Sequence, residues 1–281
     1  MIRIGSNSDS SANRDICMAA PFDHIATTDS VLTRSAIGQL QRKQVWNYLE
    51  KITPHLDGLE ILELNCGTGD DALLFSEKGI NIVATDVSEE MLKVTVQKAN
   101  QFSMQNKISS HYLDLDTFDE TLFDKKFDLV FSNFGVTNCI NPDSLKKLLH
   151  KIPSILSPGG RFVAVVMPKF CLWESLYMLL KFRFRKIFRR MTNRGLAVDT
   201  YGTSVKTWYY NPAKIRKWAG VKFKVVTTRP IGFALPPSQL ESTFARKKGF
   251  LLRLNKLEKK VHRISILSVM ADQFIIDLQL K

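Results

Sequence analysis

One stretch constrains this chain more than any other: Ile61-Leu62-Glu63-Leu64-Asn65-Cys66-Gly67-Thr68-Gly69. An apolar run stops at a small, glycine-bearing turn, and a helix-like segment, Asp70 to Lys78, follows at once. The pattern reads as strand, tight loop, helix start. Glycine lets the backbone approach a ligand closely because no Cβ intervenes. The first turn of a helix presents unpaired N–H groups and the positive end of its dipole. Such a turn suits a nucleotide-like ligand. The next apolar run, Ile82 to Thr85, ends at Asp86. A carboxylate at the end of a second strand can accept hydrogen bonds from both hydroxyls of a ribose.

Around this motif, alternating apolar runs and amphipathic segments predict a parallel sheet flanked by helices. The expected strands are Glu60–Leu64, Asn81–Thr85, Ser110–Leu113, Phe127–Ser132 and Arg161–Val166. Ser88 caps one intervening helix, and Asn141-Pro142-Asp143 opens another. Ahead of them, Ile37, Leu40, Val45, Trp46 and Leu49 recur at helical spacing, with Asp29 or Ser30 as the cap. After Pro168 the alternation breaks. Phe170 to Met191 reads as a basic amphipathic segment, with Leu172, Leu176, Leu179 and Leu180 on one helical face and Phe182, Phe184 and Phe188 among basic residues. A helix from Asn211-Pro212 to Trp218, a strand over Val221–Thr228, a basic helix from Leu240 to His262 and a last strand over Phe274–Leu280 complete the reading.

A chain of 281 residues, 44% hydrophobic and 24% charged, suits one domain with an insertion or two small ones. The four cysteines, Cys17, Cys66, Cys139 and Cys171, are scattered, with no metal-ligand spacing and no disulfide framework. That spacing and the absence of an apolar leader core in residues 1–20 point to the cytoplasm. The histidines show no metal spacing either, so no metal is expected. Charge divides the chain: residues 1–150 hold 14 Lys/Arg against 21 Asp/Glu, and residues 151–281 hold 26 against 6. A half this basic seeks a polyanion, an anionic surface or an acidic partner, or serves solubility alone.

The loop resembles motif I of the class I S-adenosylmethionine (SAM)-dependent methyltransferases, usually E-x-G-x-G-x-G. Glu63, Gly67 and Gly69 match, and Asn65 replaces the first glycine. Asn tolerates a positive φ better than other side chains. Ser157-Pro158-Gly159-Gly160 matches the family's turn before strand five, and Phe22-Asp23-His24-Ile25-Ala26 resembles its N-terminal lid, with Thr28 in place of the usual tyrosine. Ser132 to Cys139, Cys171-Leu172-Trp173-Glu174 and Ala271-Asp272-Gln273-Phe274 resemble an uncharacterised bacterial group of small-molecule methyltransferases. The resemblance implies an α/β fold: a Rossmann-like sheet with helices on both faces, an antiparallel last strand beside strand six, and a helical insertion after strand five. It divides the chain into a flexible arm (1–20), a helical lid (21–58), a SAM-binding core (59–168), a helical substrate lid (169–220) and a closing unit (221–281).

By the same resemblance, Glu63 and the backbone of Asn65, Cys66, Gly67, Thr68 and Gly69 hold the methionyl part of SAM. Asp86 holds the ribose, with Val87 and Met91 beside the adenine. Asp114 and Leu115 meet the adenine edge and face, and Ser132, Asn133 and Phe134 border the methyl donor. Candidate bases for a hydroxyl acceptor are His24, Glu174 and Tyr209. The apolar setting of Glu174 should raise its pKa. Asn138, Trp173, Trp208, Tyr210 and Phe233 are candidates for an aromatic substrate pocket. The acceptor expected is a hydrophobic, polyketide- or lipid-like secondary metabolite, methylated on oxygen and presented by an acidic carrier protein or an anionic membrane. Two other readings stay open: a nucleic-acid methyltransferase using the basic half, and a non-catalytic binding module. Steep salt dependence of nucleic-acid binding marks the first, and failure to bind SAM marks the second.

Overall fold

The computed structural model describes residues 35–53, 58–200, 203–244 and 247–281. The arm over residues 1–20, His24 and the opening of the lid lie outside the described residues. The first described helix, α1 (Ala36–Ile52), is capped by Ser35, whose side chain accepts from the Gly38 N–H, rather than by Asp29 or Ser30.

Five strands, β1 (Glu60–Leu64), β2 (Asn81–Asp86), β3 (Ile108–Tyr112), β4 (Phe127–Ser132) and β5 (Leu156–Val166), are parallel. The apolar runs of β1, β2, β4 and the second half of β5 are those of strands covered on both faces, whereas β3, Ile-Ser-Ser-His-Tyr, is the half-exposed edge. A seven-stranded sheet results, ordered β3-β2-β1-β4-β5-β9-β8, with β8 over Phe223–Ile231 and β9 over Gln273–Leu280. The last strand does not simply flank strand six: β9 enters between β5 and β8, antiparallel to both.

Successive side chains on a strand point to opposite faces, so each strand feeds two cores. Leu62, Leu64, Val130, Phe162 and Ile276 pack with Leu145, Leu148 and Leu149 of α4 (Pro142–Lys151) and Ile215 of α6 (Pro212–Ala219). Ile61, Leu129, Phe131, Val163 and Ile275 pack with Val45 and Leu49 of α1, Phe75 of α2 (Asp70–Ser76) and Ala99 of α3 (Glu89–Gln101).

Three expectations change. Ser157-Pro158-Gly159-Gly160 lies within β5 rather than ahead of it, where the register against β4 shifts between Phe127 and Leu129. A Cβ on Gly160 would meet the Ser157 carbonyl at 2.8 Å, so the bulge needs glycine. The stretch read as one basic helix from Leu240 divides into a turn, Glu241–Phe244, and α7 (Lys248–Val261). The insertion is not wholly helical. The helix α5 (Leu172–Leu180) stops early and is followed by an antiparallel hairpin, β6 (Leu196–Thr200) with β7 (Thr203–Thr207), before α6. That hairpin is a separate two-stranded sheet.

The end of α5 has a definite cause. The N–H of Phe182 bonds the Leu179 carbonyl at 3.0 Å and that of Arg183 bonds the Met178 carbonyl at 2.9 Å. This reversed pair is the Schellman stop, which requires a left-handed residue and usually takes glycine. Here the residue is Phe182, at φ 56°.

Candidate active site

The carboxyl ends of the central strands open onto one cavity of about 320 Å³, within the range of small-molecule sites. Its floor is the turn after β1. Asn65, Gly67 and Gly69 all take positive φ, at 53°, 55° and 74°. Gly69 is also demanded by packing: a Cβ there would lie 2.6 Å from Cγ2 of Thr95 on α3. Asp86 ties the first loop to the second. Its Oδ2 accepts the Gly67 N–H at 2.9 Å and its Oδ1 accepts the Ser88 N–H at 2.9 Å.

The electrostatics centre on Glu63, which is 1% exposed. Among the described residues, its Oε2 and the Oδ1 of Asn65 are buried with no hydrogen-bond partner. Burial, and then the neighbouring Asp71 carboxylate, push the Glu63 carboxyl well above the usual range. Asp71 is itself held by the indole N–H of Trp46 at 3.1 Å, by Arg42 at 3.2 Å and by the Asn133 side-chain amide. An unmatched buried acceptor beside open space calls for a donor from a ligand, and a cation best of all. The Cys66 thiol is pushed far up by burial and by Glu63, which excludes it as a nucleophile.

Glu63, Asn65, Cys66, Gly67, Asp86, Met91, Asn133, Phe134 and Tyr209 line this cavity. Val87, Asp114 and Leu115 line a neighbouring slot of about 20 Å³ with Asn65, Val136 and Cys139. Thr68, Gly69 and Ser132 are buried behind the loop and line neither. The far wall of the main cavity belongs to the insertion: Val198 and Val205 of the hairpin, Thr207, Tyr209 and Arg189, with Met167 at the end of β5.

Most of the acceptor-side expectations do not lead to this cavity. Glu174 is buried but paired, through Arg189 at Oε1 and through Arg190 at 2.7 Å to Oε2. Although burial pushes its pKa up, the two guanidinium groups outweigh it and hold the carboxyl below its ordinary value, the opposite of the shift expected. An ionised, doubly paired carboxylate outside the cavity is no base for the acceptor. Asn138 is fully engaged by backbone: it accepts the Met167 N–H at 2.8 Å and donates to the Met167 and Trp208 carbonyls. Tyr210 donates its hydroxyl to the Ile140 carbonyl within the core. Trp173 donates to the Phe233 carbonyl at 3.0 Å and packs edge-on to Phe244. Trp208 packs against the core under Lys206. None of these five aromatic and amide candidates lines the cavity. Tyr209 does, and burial raises its pKa, so it enters any chemistry as a neutral phenol.

Sequence reasoning missed Arg42, Asp71 and the hairpin wall. The pair Asp70-Asp71 in the first turn of α2 was the available signal for one of them. The hairpin residues are placed by pairing with each other across a turn, for which Gly195 and the Val198/Val205 alternation gave only a faint trace.

Residues 61–160 match the family model for a methyltransferase domain. A demethylmenaquinone methyltransferase of Clavibacter sepedonicus is 28% identical over 148 residues, covering 52% of this chain and 56% of that protein. A malonyl-[acyl-carrier protein] O-methyltransferase of Pectobacterium atrosepticum is 31% identical over 122 residues, covering 43% and 44%. The chain thus spans about half the length of the curated relatives it matches. Among solved structures, magnesium protoporphyrin IX methyltransferase of Synechocystis with bound SAM superposes with a TM-score of 0.57 at 14% identity, over 97% of this chain and all of that one. The [4+2]-cyclase SpnF superposes with a TM-score of 0.54 at 14% identity, over 84% and 80%. The second likeness warns that this fold also carries other chemistry. Residues 61–160 are thus similar to a methyltransferase domain, and the sheet as a whole has the fold of the SAM-dependent methyltransferases among its structural neighbours.

Proposed function

We propose that the chain transfers the methyl group of SAM to an oxygen of a hydrophobic small molecule. The observation that carries this is the continuous cavity. One end holds the unpartnered Glu63 oxygen and Asp86 at the glycine turn, and the other is walled by Met167, Val198, Val205 and Tyr209. The residues fit the cofactor. Glu63 and Asn65 supply acceptors for an ammonium group, the Gly67 backbone leaves room for a close approach, and Asp86 sets a carboxylate at the end of β2, where a ribose would lie. Val87, Asp114 and Leu115 line the slot adjoining this end of the cavity, and we assign the adenine to that side. SAM supplies a methyl group on a sulfonium, open to in-line displacement.

The chain's own residues orient and exclude water. The apolar far wall selects a hydrophobic acceptor and keeps it dry. The Tyr209 phenol is the candidate to hold the acceptor oxygen by a hydrogen bond; His24, the remaining candidate base, lies outside the described residues. Two relatives act on lipid-quinone and carrier-bound substrates by their names, which supports a hydrophobic or carrier-presented acceptor. Calorimetric titration with S-adenosylhomocysteine tests the cofactor half. Micromolar binding is expected, and none at millimolar ligand would end the proposal. A methyl-acceptor screen of phenols, hydroxylated polyenes and acyl carboxylates then reads the acceptor, with label on oxygen as the expected outcome.

A further inference from the structure

We infer that the face formed by α5, the turn after it and α7 is a docking surface for an anionic lipid bilayer. It goes beyond the methyl-transfer reading and does not depend on it. Four large apolar side chains in succession point away from the fold: Leu180 is 68% exposed, Phe182 80%, Phe184 59% and Phe188 61%. On the neighbouring segment, Leu252 is 60% and Ile266 73% exposed. The two segments are joined by an aromatic chain, Trp173 on Phe244 and Phe244 stacked on Phe250 at 6.0 Å. Large apolar side chains left exposed in such numbers mark an interaction site.

Charge decides the partner. Lys181, Arg183, Arg185 and Lys186 alternate with the exposed rings, and none has an acidic partner among the described residues. Five of the six acids of the basic half are spent inside the fold: Glu174 and Asp272 on Arg190, Asp277 on Arg161, Glu258 on the backbone N–H groups of residues 232–235, and Glu241 on the first N–H groups of α1; the sixth, Asp199, lies on the hairpin. Apolar rings that enter the acyl boundary, beside cations that reach back to headgroups, are what an anionic membrane surface recognises.

The backbone gives an independent sign. Phe182 holds the left-handed stop of α5, where glycine is free of strain, and its ring is the most exposed large apolar side chain of this face. A strained backbone that presents a solvent-facing ring gains nothing in the free protein, and outliers of this kind gather at functional positions. The same segment runs on into Arg189 and Arg190, which line the cavity. A lipid-like acceptor would therefore pass from bilayer to cavity along a few residues.

The test is co-sedimentation of the full chain with vesicles of phosphatidylcholine alone or mixed equally with phosphatidylglycerol. Binding to the mixed vesicles and not to the neutral ones is expected, declining as salt rises. R183Q/R185Q/K186Q should weaken it about a hundredfold, since each cation near the surface contributes roughly tenfold or less. F182G should weaken it several-fold while melting no lower than the wild type, because glycine suits the left-handed position. Both variants should titrate S-adenosylhomocysteine unchanged, so that a failed docking surface and a failed cofactor site are told apart. No binding to the mixed vesicles, or binding indifferent to both variants, overturns the inference. So does binding of RNA without binding of vesicles, or a dimer that F182G dissociates and vesicles do not.

Discussion

Two buried carboxylates, one in each half of the molecule, sit in opposite surroundings. Glu63 lies near the end of the first strand in the acidic half with an oxygen that no described residue satisfies, and its pKa is driven up. Glu174 opens the insertion in the basic half with two guanidinium groups on it, and its pKa is driven down. A paired buried charge is architecture, and removing its partner is costly. An unpaired one costs the free protein stability and is kept where a ligand supplies the missing charge. The difference separates the residues that fold this protein from those that await its cofactor.

The comparison breaks most visibly at Arg190. Arg190→Met leaves Glu174 and Asp272 buried without their common cation and should cost about 3–5 kcal/mol of stability by urea unfolding. A loss below 1 kcal/mol would show the network to be solvated. At the other pole, Asp86→Ala should weaken S-adenosylhomocysteine binding by about 1–3 kcal/mol in calorimetry. It removes acceptors from two loop N–H groups as well as from a ribose, so a stability scan of the same variant apportions the effect.

Glu63→Gln should weaken the same binding by about 1–2 kcal/mol, yet leave the free protein as stable or more so. The pH dependence carries the sign. Glu63 has a raised folded pKa, so its burden on stability is absent below the unfolded carboxylate pKa and grows as pH rises toward the folded value. The advantage of Glu63→Gln should open over that window. Glu174 has a lowered folded pKa, so its contribution is present above the unfolded value and is lost as pH falls through the folded one. The deficit of Glu174→Gln should therefore close on acidification. Parallel unfolding series at several pH values read both; the same slope in both variants would erase the contrast. The smallest effect is at the end of α5, where Phe182→Gly should raise stability by about 0.5–1 kcal/mol, the usual strain of a left-handed side chain less the entropy of glycine, seen as a higher melting temperature.

What the sequence made legible follows the range of the interactions. The turn after β1, Asp86 at the end of β2 and the alternation of strand and helix are local, and local chemistry writes them into consecutive residues. That a parallel sheet forms follows from those runs; the strand order, with β9 between β5 and β8, does not. The acceptor side was not legible, because its walls are assembled from α1, the hairpin and residues 238–239, which meet only in the folded chain. Glu174 shows the failure in one residue. Its neighbours Trp173 and Leu172 suggested an apolar pocket, whereas Arg189 and Arg190, a turn of chain further on, neutralise it. Tyr210 and Asn138 depart for a related reason: a polar side chain in the connections that follow the strands is as readily recruited by the fold's own carbonyls as by a substrate.

The entry of β9 between β5 and β8 has a bearing on how the protein is made. During synthesis, β5 emerges with one edge paired to β4 and the other open, and its partner follows only after roughly a hundred further residues. Through that interval the ribosome extrudes the insertion, β8 and the basic helix α7, while Val163 and Val165 stand on an unpaired edge. The nascent chain is thus most prone to mispairing late rather than early, and its commitment to the native sheet is withheld until residues 273–280 close the gap like a keystone.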